Sequence, residues 1–150
     1  MTTSDQRITI TKLFGPFAMG HRQALHQGHC KYVHGHDVKV KIRISALESQ
    51  LTKEGFVYDF GKFKKFRTEL NWLLDHKLLI NEDDPEREYF EDMDRRNLAD
   101  IRIVPNCGAE GMAKHVYQML CEELKDVTSV VVESVEFFED DHNTAIWQKP

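Results

Sequence analysis

A strict alternation of apolar and basic side chains along residues 37–46 constrains the fold more than any other feature of this sequence. The alternating residues are Val38, Lys39, Val40, Lys41, Ile42, Arg43 and Ile44. Because successive side chains of a β-strand point to opposite faces, this pattern predicts a strand with one buried and one solvated face. Such strands are typical of antiparallel sheets that pack one face on a core. An antiparallel sheet is therefore the expected framework of the fold.

Five further segments carry patterns of regular secondary structure. The predicted strands are residues 7–14, 37–46, 127–139 and 144–148, and the predicted helices are residues 60–74 and 109–124. The strands are rich in β-branched and aromatic residues, the helices place apolar residues at helical spacing, and Asp59 can cap the first helix. The order ββααββ predicts an α+β fold in which an antiparallel sheet carries both helices on one face.

The other segments have irregular patterns. Residues 15–36 contain four glycines and one proline, which predict a loop. Residues 82–94 hold eight acids among thirteen residues and predict a solvated loop or a short surface helix. With 150 residues and no internal repeat, the chain is expected to form a single domain over residues 1–150.

Charge and cysteine content limit the partners and the compartment. Acidic residues outnumber basic ones by 25 to 20, a net charge of −5, which argues against nucleic acid or an anionic membrane as the main partner. No apolar run is long enough for a transmembrane helix, and the first twenty residues lack the pattern of a signal peptide. Three cysteines, an odd and low number, predict a reducing compartment, so we expect a cytoplasmic location.

Histidines are concentrated in one short stretch. Five of the eight fall within sixteen positions, and such clustering is typical of a metal site. His34 and His36 lie two apart at the entry to the alternating strand, so both imidazoles can face one ion, with His21 as third ligand. Three histidines and an open fourth position indicate catalytic zinc, but imidazole also suits copper, nickel and iron. The alternative is a set of hydrogen-bonding surface histidines, as we interpret His26 and His29.

A cysteine and an acid–histidine pair can form a second constellation. Cys30 lies four residues before His34, and a thiolate near a dication can serve as base or nucleophile. Its alternatives are a fourth metal ligand or an inert thiol. Asp75 and His76 can form a proton-transfer pair. Neighbours in sequence rarely pair through their side chains, however, and a polar helix end is the competing interpretation.

Two glutamates complete the candidate residues. Glu139 follows an apolar strand, and Glu110 opens the second predicted helix. Each is either a surface acid, favoured at Glu110 by the helix dipole, or a carboxylate that accepts two hydrogen bonds from an amino-pyrimidinone edge.

Together these motifs resemble the 6-pyruvoyl-tetrahydropterin synthase superfamily over nearly the whole chain. The matching residues, in order, are His21, Cys30, His34–His36, Gly55–Phe60, Leu74–His76, Glu110, Glu139 and Ala145. Each motif is weak alone, but the combination is highly specific. The spacing from Cys30 to the His-Gly-His motif is most like that of the queuosine-pathway branch, the 6-carboxy-5,6,7,8-tetrahydropterin synthases.

The resemblance implies the tunnelling fold, a four-stranded antiparallel sheet with two helices, in which several subunits join their sheets into a barrel. The implied residues are His21, His34 and His36 for Zn²⁺, Cys30, Asp75 and His76 for catalysis in a site shared between subunits, and Glu139 with Glu110 for the pterin ring. Arg22 and Lys31 are candidate ligands of a triphosphate. A homo-oligomer is expected, either a trimer or a hexamer of two trimers.

The implied reaction is a zinc-dependent lyase reaction on 7,8-dihydroneopterin triphosphate, which yields 6-carboxytetrahydropterin, acetaldehyde and triphosphate. One alternative is the related synthase that stops at 6-pyruvoyltetrahydropterin after triphosphate elimination. Another is a metal-binding module without catalysis, in which Cys30 is the fourth ligand.

The sequence departs from the family pattern around the expected pterin pocket. Asn106–Ala109 stand where members often have a proline–threonine pair before Glu110. Asp140 stands where a threonine usually follows the anchoring glutamate, and Trp147 replaces a tyrosine. Residues 81–104 are longer and more acidic than in compact members. The departures concern the pterin pocket and leave the metal and catalytic positions intact.

Overall fold

A computed structural model of the protein describes residues 5–150. Residues 1–4 lie outside the described residues, and they belong to the segment in which we expect no signal peptide. The strands are β1 (Arg7–His21), β2 (His34–Leu47), β3 (Lys77–Asn81), β4 (Ile101–Val104), β5 (Val131–Phe138) and β6 (Thr144–Gln148), and the helices are α1 (Lys64–Leu74), α2 (Arg87–Arg95) and α3 (Ala109–Glu123). Short 3-10 helices occupy His29–Lys31, Glu48–Gln50 and Phe60–Phe63. Among residues 5–150, no helix combines the length and apolarity needed to cross a membrane.

All six strands form one mixed sheet in the order β4-β3-β1-β2-β5-β6. β1–β2, β2–β5 and β5–β6 are antiparallel pairs, whereas β1–β3 and β3–β4 are parallel. The α+β class is confirmed, but the four-stranded antiparallel sheet in the order ββααββ is wrong, because the observed order is ββαβαβαββ. The added strands β3 and β4 have only five and four residues, and apolar runs of that length show no readable period.

Strand β1 continues to His21 through the segment that the sequence predicts to be irregular. The glycine–proline pair at residues 15–16 is a breaker signal, but the sheet accommodates it in a register shift between Phe14 and Phe17. The glycine has a φ of 106°, and a Cβ on it would lie 2.9 Å from the carbonyl oxygen of Val38. Only glycine fits there without strain. The irregularity thus lets β1 remain paired with β2 to its end.

Helices α1 and α3 pack on one face of the sheet and close the main core. Their inward side chains meet the apolar residues of β1, β2 and β5 in one cluster. Its largest fully buried side chains are Phe14, Ile42, Ile44, Phe63, Phe66, Leu70, Leu74, Leu79, Met112, Leu120 and Phe137. The strand predicted over residues 37–46 is confirmed, since its four alternating apolar side chains are at most 1% exposed.

Helix α2 covers the opposite face of β3 and β4. In β3, Leu79 belongs to the main core, whereas Ile80 packs with Phe90 of α2 in a second cluster. Because alternate residues of a strand point to opposite faces, α2 lies across the sheet from α1 and α3. The acidic segment 82–94 therefore contains a short helix, as expected. It is not simply solvated, however, because Asp84 and Phe90 are buried.

Candidate metal and catalytic site

Three histidines meet where β1 ends and β2 begins. The antiparallel register places His21 opposite His34, and His36 follows two residues later. The ring centroids are 4.7, 5.0 and 5.0 Å apart, and one ring nitrogen of each residue lies within 4.8 Å of the other two. The structure thus brings together the three residues that the sequence predicts as metal ligands.

Backbone carbonyls orient two of these rings. Nδ1 of His21 lies 2.8 Å from the carbonyl oxygen of Cys107, and Nδ1 of His34 lies 2.7 Å from that of Tyr32. A carbonyl oxygen only accepts, so each Nδ1 carries the proton and donates it. Each Nε2 is then left with a free lone pair. Metal-binding histidines typically have this arrangement, in which the second ring nitrogen fixes both tautomer and orientation.

The third ring has an unsatisfied nitrogen. Nε2 of His36 is buried and has no hydrogen-bond partner within residues 5–150. Oε1 of Glu139 lies 3.6 Å away, beyond hydrogen-bond reach. An unpaired buried polar group costs about 1–3 kcal/mol, so this nitrogen indicates a ligand. The residues therefore fit a metal ion held by three imidazoles, which is the donor set of catalytic zinc.

Burial keeps the first histidine in the form that binds metal. His21 is 3% exposed, and this desolvation lowers its pKa below the ordinary value despite the hydrogen bond to Cys107, with the nearby rings of His34 and His36 adding to the effect. A lowered pKa favours neutral imidazole, whose lone pair can coordinate a cation.

Asp75 and His76 form a side-chain pair at the end of α1. Nδ1 of His76 lies 3.1 Å from Oδ2 of Asp75, so the two side chains are placed as an acid–histidine pair although neighbours in sequence rarely pair in this way. His76 has a positive φ of 57°. The backbone of Ala18 holds both residues: it accepts from the His76 N–H and donates to Oδ1 of Asp75.

A cleft of about 660 Å³ opens beside the histidines, and His34, His36 and His76 are among its lining residues. The side chain of His76 is 81% exposed. Cys30 lies in the short helix His29–Lys31, half-buried and free of any disulfide, and it does not line this cleft. Its sulfur also lies outside the group of ligand atoms within 4.8 Å of one another. Within the described part of one chain, Cys30 is therefore not part of the three-histidine group and does not line the cleft that contains His76.

The two glutamates lie in different places. Glu139, at the end of β5, faces His36 as described. Glu110 is exposed in the first turn of α3 and lines a separate pocket of about 470 Å³ together with Lys114 and Trp147. The structure therefore brings Glu139, and not Glu110, to the three histidines.

Arg22 is committed to a residue of the acidic segment. Its Nε and Nη2 each donate to a carboxylate oxygen of Asp84 at 2.7 Å, and its guanidinium lies 5.3 Å from the ring centre of Phe90. These hydrogen bonds hold the pKa of Asp84 below its ordinary value and raise that of Arg22. Arg22, which the sequence suggests as a ligand of the triphosphate, therefore has two of its N–H groups engaged by Asp84. Binding of the triphosphate by its other N–H groups stays a prediction.

Cys107 contacts His21, and Gln23 and Asn81 contact Cys107 in turn; sequence reasoning missed the role of all three residues. The Cys107 thiol donates to the carbonyl oxygen of Arg22 at 3.3 Å, and burial raises its pKa to about 11. This cysteine is consequently a structural residue and a poor nucleophile. The only feature of the sequence that pointed to this segment was its departure from the family pattern at Asn106–Ala109. That departure did not indicate that Cys107 contacts His21.

Comparison with known proteins gives a consistent result. The sequence family described as 6-pyruvoyl tetrahydropterin synthase matches residues 9–150. The 6-carboxy-5,6,7,8-tetrahydropterin synthase of Rickettsia conorii is 29% identical over 127 residues, which cover 82% of this chain and 88% of that protein. The enzyme of the same name from Rickettsia typhi gives the same figures.

Solved structures extend the comparison to the fold. An uncharacterized protein from Wolinella succinogenes has a TM-score of 0.84 at 23% identity, covering 97% of this chain and 99% of the other. The 6-pyruvoyl tetrahydropterin synthase of Plasmodium vivax has a TM-score of 0.70 at 19% identity, with the same coverage. At these identities the likeness concerns the fold alone. The resemblance inferred from the motifs is confirmed.

Proposed function

Because the chain belongs to the 6-pyruvoyl tetrahydropterin synthase family, we propose that it is a lyase of the 6-carboxy-5,6,7,8-tetrahydropterin synthase type. The proposed substrates are 7,8-dihydroneopterin triphosphate and water, and the products are 6-carboxy-5,6,7,8-tetrahydropterin, acetaldehyde and triphosphate. Relatives at 29% identity carry this enzyme name. The proposed context is queuosine biosynthesis in the cytoplasm, where reducing conditions would keep Cys30 free.

The three-histidine group is the observation that carries this proposal. His21, His34 and His36 converge, and His34 and His36 line a cleft large enough for a small heterocyclic substrate. The Nε2 atoms of the three rings supply the imidazole ligands: Nε2 of His36 is unpaired, and the Nδ1 atoms of His21 and His34 donate to backbone carbonyls and leave their Nε2 lone pairs free. Zn²⁺ is the proposed ion, and when bound there it would polarise oxygen atoms of the substrate side chain and stabilise negative charge on them.

The proton transfers are assigned to side chains of the protein. Cys30 Sγ acts as the base that removes the proton from the side-chain carbon next to the pterin ring. Triphosphate then leaves with its bonding electron pair, and a later carbon–carbon cleavage releases the two-carbon fragment. His76 gives or takes the second proton, while Oδ2 of Asp75, 3.1 Å from Nδ1, holds its tautomer.

Substrate recognition is assigned to carboxylates. Glu139 would accept two hydrogen bonds from the amino-pyrimidinone edge of the pterin. Its position beside His36 supports this role, because a pterin held there would have its side chain close to the three histidines. Glu110 would assist from the start of α3, and Arg22 is a weaker candidate for the triphosphate.

A site shared between subunits would bring Cys30 of one chain to the Asp75–His76 pair of another. The side chain of His76 is 81% exposed, and Cys30 lies outside the cleft that His76 lines. In a trimer or a hexamer of two trimers, the Asp75–His76 dyad of one subunit would face Cys30 of the next. Exposed apolar residues on β1 and β6, Leu13 at 53% and Ile146 at 52%, support association through the sheet.

Product analysis tests the proposal directly. Zinc-loaded protein is incubated with 7,8-dihydroneopterin triphosphate, the pterin is identified by mass spectrometry, and acetaldehyde is assayed in parallel. A carboxy-pterin with equimolar acetaldehyde is expected. A pyruvoyl-pterin without acetaldehyde would instead assign the reaction that stops at triphosphate elimination. Bound zinc without turnover of this substrate would contradict the proposed reaction.

A further inference from the structure

The carbonyl group that orients His21 belongs to a peptide outside regular structure. Cys107 lies between the end of β4 at Val104 and the start of α3 at Ala109. No strand or helix ladder fixes the rotation of its peptide units. The 2.8 Å hydrogen bond from Nδ1 of His21 to this carbonyl therefore depends on whatever holds the loop in place.

The Cys107 thiol is anchored to the carbonyl oxygen of Arg22, and Asn81 anchors the Cys107 backbone. Its Oδ1 accepts from the backbone N–H of Cys107 at 2.7 Å. The assignment of oxygen and nitrogen in this amide is unambiguous, because a backbone N–H can only donate. On the other side, Nδ2 of Asn81 donates to Oε1 of Gln23 at 3.4 Å, so both ends of the carboxamide are engaged.

Two routes connect this carboxamide to residues of the candidate site. One runs through the Cys107 residue to Nδ1 of His21. The other runs through Gln23, whose backbone N–H donates to the carbonyl oxygen of Cys30 at 2.7 Å. Strand β3 places Asn81 at this junction, since Leu79 of the same strand is the parallel partner of His21.

We infer that Asn81 is a positioning residue for the metal centre, which holds the Cys107 residue so that its carbonyl fixes the tautomer and direction of the His21 ring. The inference rests on the proposed three-histidine metal site. Loss of an outer partner that hydrogen-bonds directly to a metal ligand typically weakens metal affinity about 10–100-fold, and Asn81 acts through such a partner, the Cys107 carbonyl. Asn81 would act on the metal centre only through Cys107 and His21, without a charge of its own and without contacting the metal.

Two variants of the full-length protein separate this role from a general effect on folding. Asn81→Leu removes the acceptor for the Cys107 N–H at nearly constant volume, whereas Asn81→Asp retains it. Ile80→Ala is the matched control for lost stability, because Ile80 is fully buried on the same strand but packs in the α2 cluster on the other face. Zn²⁺ affinity is measured by chelator competition, and the absorption spectrum of the Co²⁺ form reports the ligand geometry.

Asn81→Leu is expected to weaken Zn²⁺ binding about 10–100-fold and to alter the Co²⁺ spectrum. Asn81→Asp and Ile80→Ala are expected to stay within about threefold of the unmodified protein. The inference is overturned if folded Asn81→Leu binds Zn²⁺ as tightly as the unmodified protein, or if Asn81→Asp loses as much affinity as Asn81→Leu. Failure of the unmodified protein to bind any metal would overturn the proposed metal centre together with this inference.

Discussion

Arg22, the residue after the candidate metal ligand His21, forms an ion pair through two hydrogen bonds with Asp84, 62 residues away in sequence. Both hydrogen bonds measure 2.7 Å, and the carboxylate is fully buried whereas the guanidinium is 18% exposed. Such fork-to-carboxylate pairs are among the stronger polar contacts in proteins. The ion pair connects the acidic segment 82–94 to the residue that follows β1. This contact explains why the segment is only partly exposed to solvent.

We expect Asp84→Asn to lower the free energy of unfolding by about 2–3 kcal/mol at pH 7, because it leaves the guanidinium without its charged partner. The pKa of Asp84 is lowered in the folded state, so its stabilisation is fully present above the ordinary aspartate pKa of about 3.9 and is lost as the pH falls through the lowered value. Urea unfolding at pH 7 and across the acid range measures both effects. Asp83→Asn, at an exposed neighbour, is the matched control, and an equal loss in both variants would contradict the assignment.

Metal binding is expected to depend on His36 and not on the loop histidines. His36→Ala removes the unpaired Nε2 and should abolish stoichiometric zinc, as measured by elemental analysis of the purified protein. His26→Ala is the control, since Nδ1 of His26 accepts from the Gly28 N–H in an exposed loop, and it should retain the metal. Chelation should lower the thermal midpoint, because ligand at 100 times its Kd stabilises the folded state by about 2.7 kcal/mol. Equal zinc content in both variants would argue against the three-histidine site.

Cys30→Ala should reduce kcat at least about 100-fold, the loss typical of removing a general base, while zinc content stays unchanged. Cys121→Ala, at a half-buried cysteine on α3, should keep both activity and metal. Turnover and zinc content are measured on the same preparations. Loss of zinc together with activity in Cys30→Ala would make this cysteine a ligand and would favour the non-catalytic metal-binding module.

Mixed oligomers should reveal the shared site. Cys30→Ala and His76→Ala are each expected to be inactive alone. After subunit exchange at equal ratio, about a quarter of the sites should join an intact Cys30 to an intact His76 and recover activity. Light scattering checks that the species is a trimer or a hexamer. A fully active monomer, or mixtures that remain inactive although exchange is verified, would contradict the shared site.

Local patterns in the sequence predicted the parts of this molecule that depend on local geometry. The alternation along residues 37–46 identified β2 because the two-residue repeat of a strand is set by the backbone itself. Apolar spacing identified α1 and α3 in the same way. The His-x-His motif placed two imidazoles on one face of a strand before any tertiary contact was known.

These local patterns could not predict contacts between segments that are distant in the sequence. Strands β3 and β4 are recognisable only because the sheet pairs them, since runs of five and four residues have no period of their own. The carbonyl oxygen of Ala18, which accepts from the His76 backbone N–H, lies 58 residues earlier in the chain, so the position of the Asp75–His76 pair could not be inferred from local spacing.

The class of the fold, the family and the three imidazoles of the candidate metal site therefore follow from residue identity and short-range spacing. The surroundings of those imidazoles depend on how distant segments pack together. The hydrogen bond from His21 to Cys107 spans 86 residues, and the contact of Asn81 with Cys107 spans 26. A hydrogen bond forms only when donor and acceptor meet in distance and direction, and for segments so far apart along the chain that meeting is set by the packing of the whole sheet.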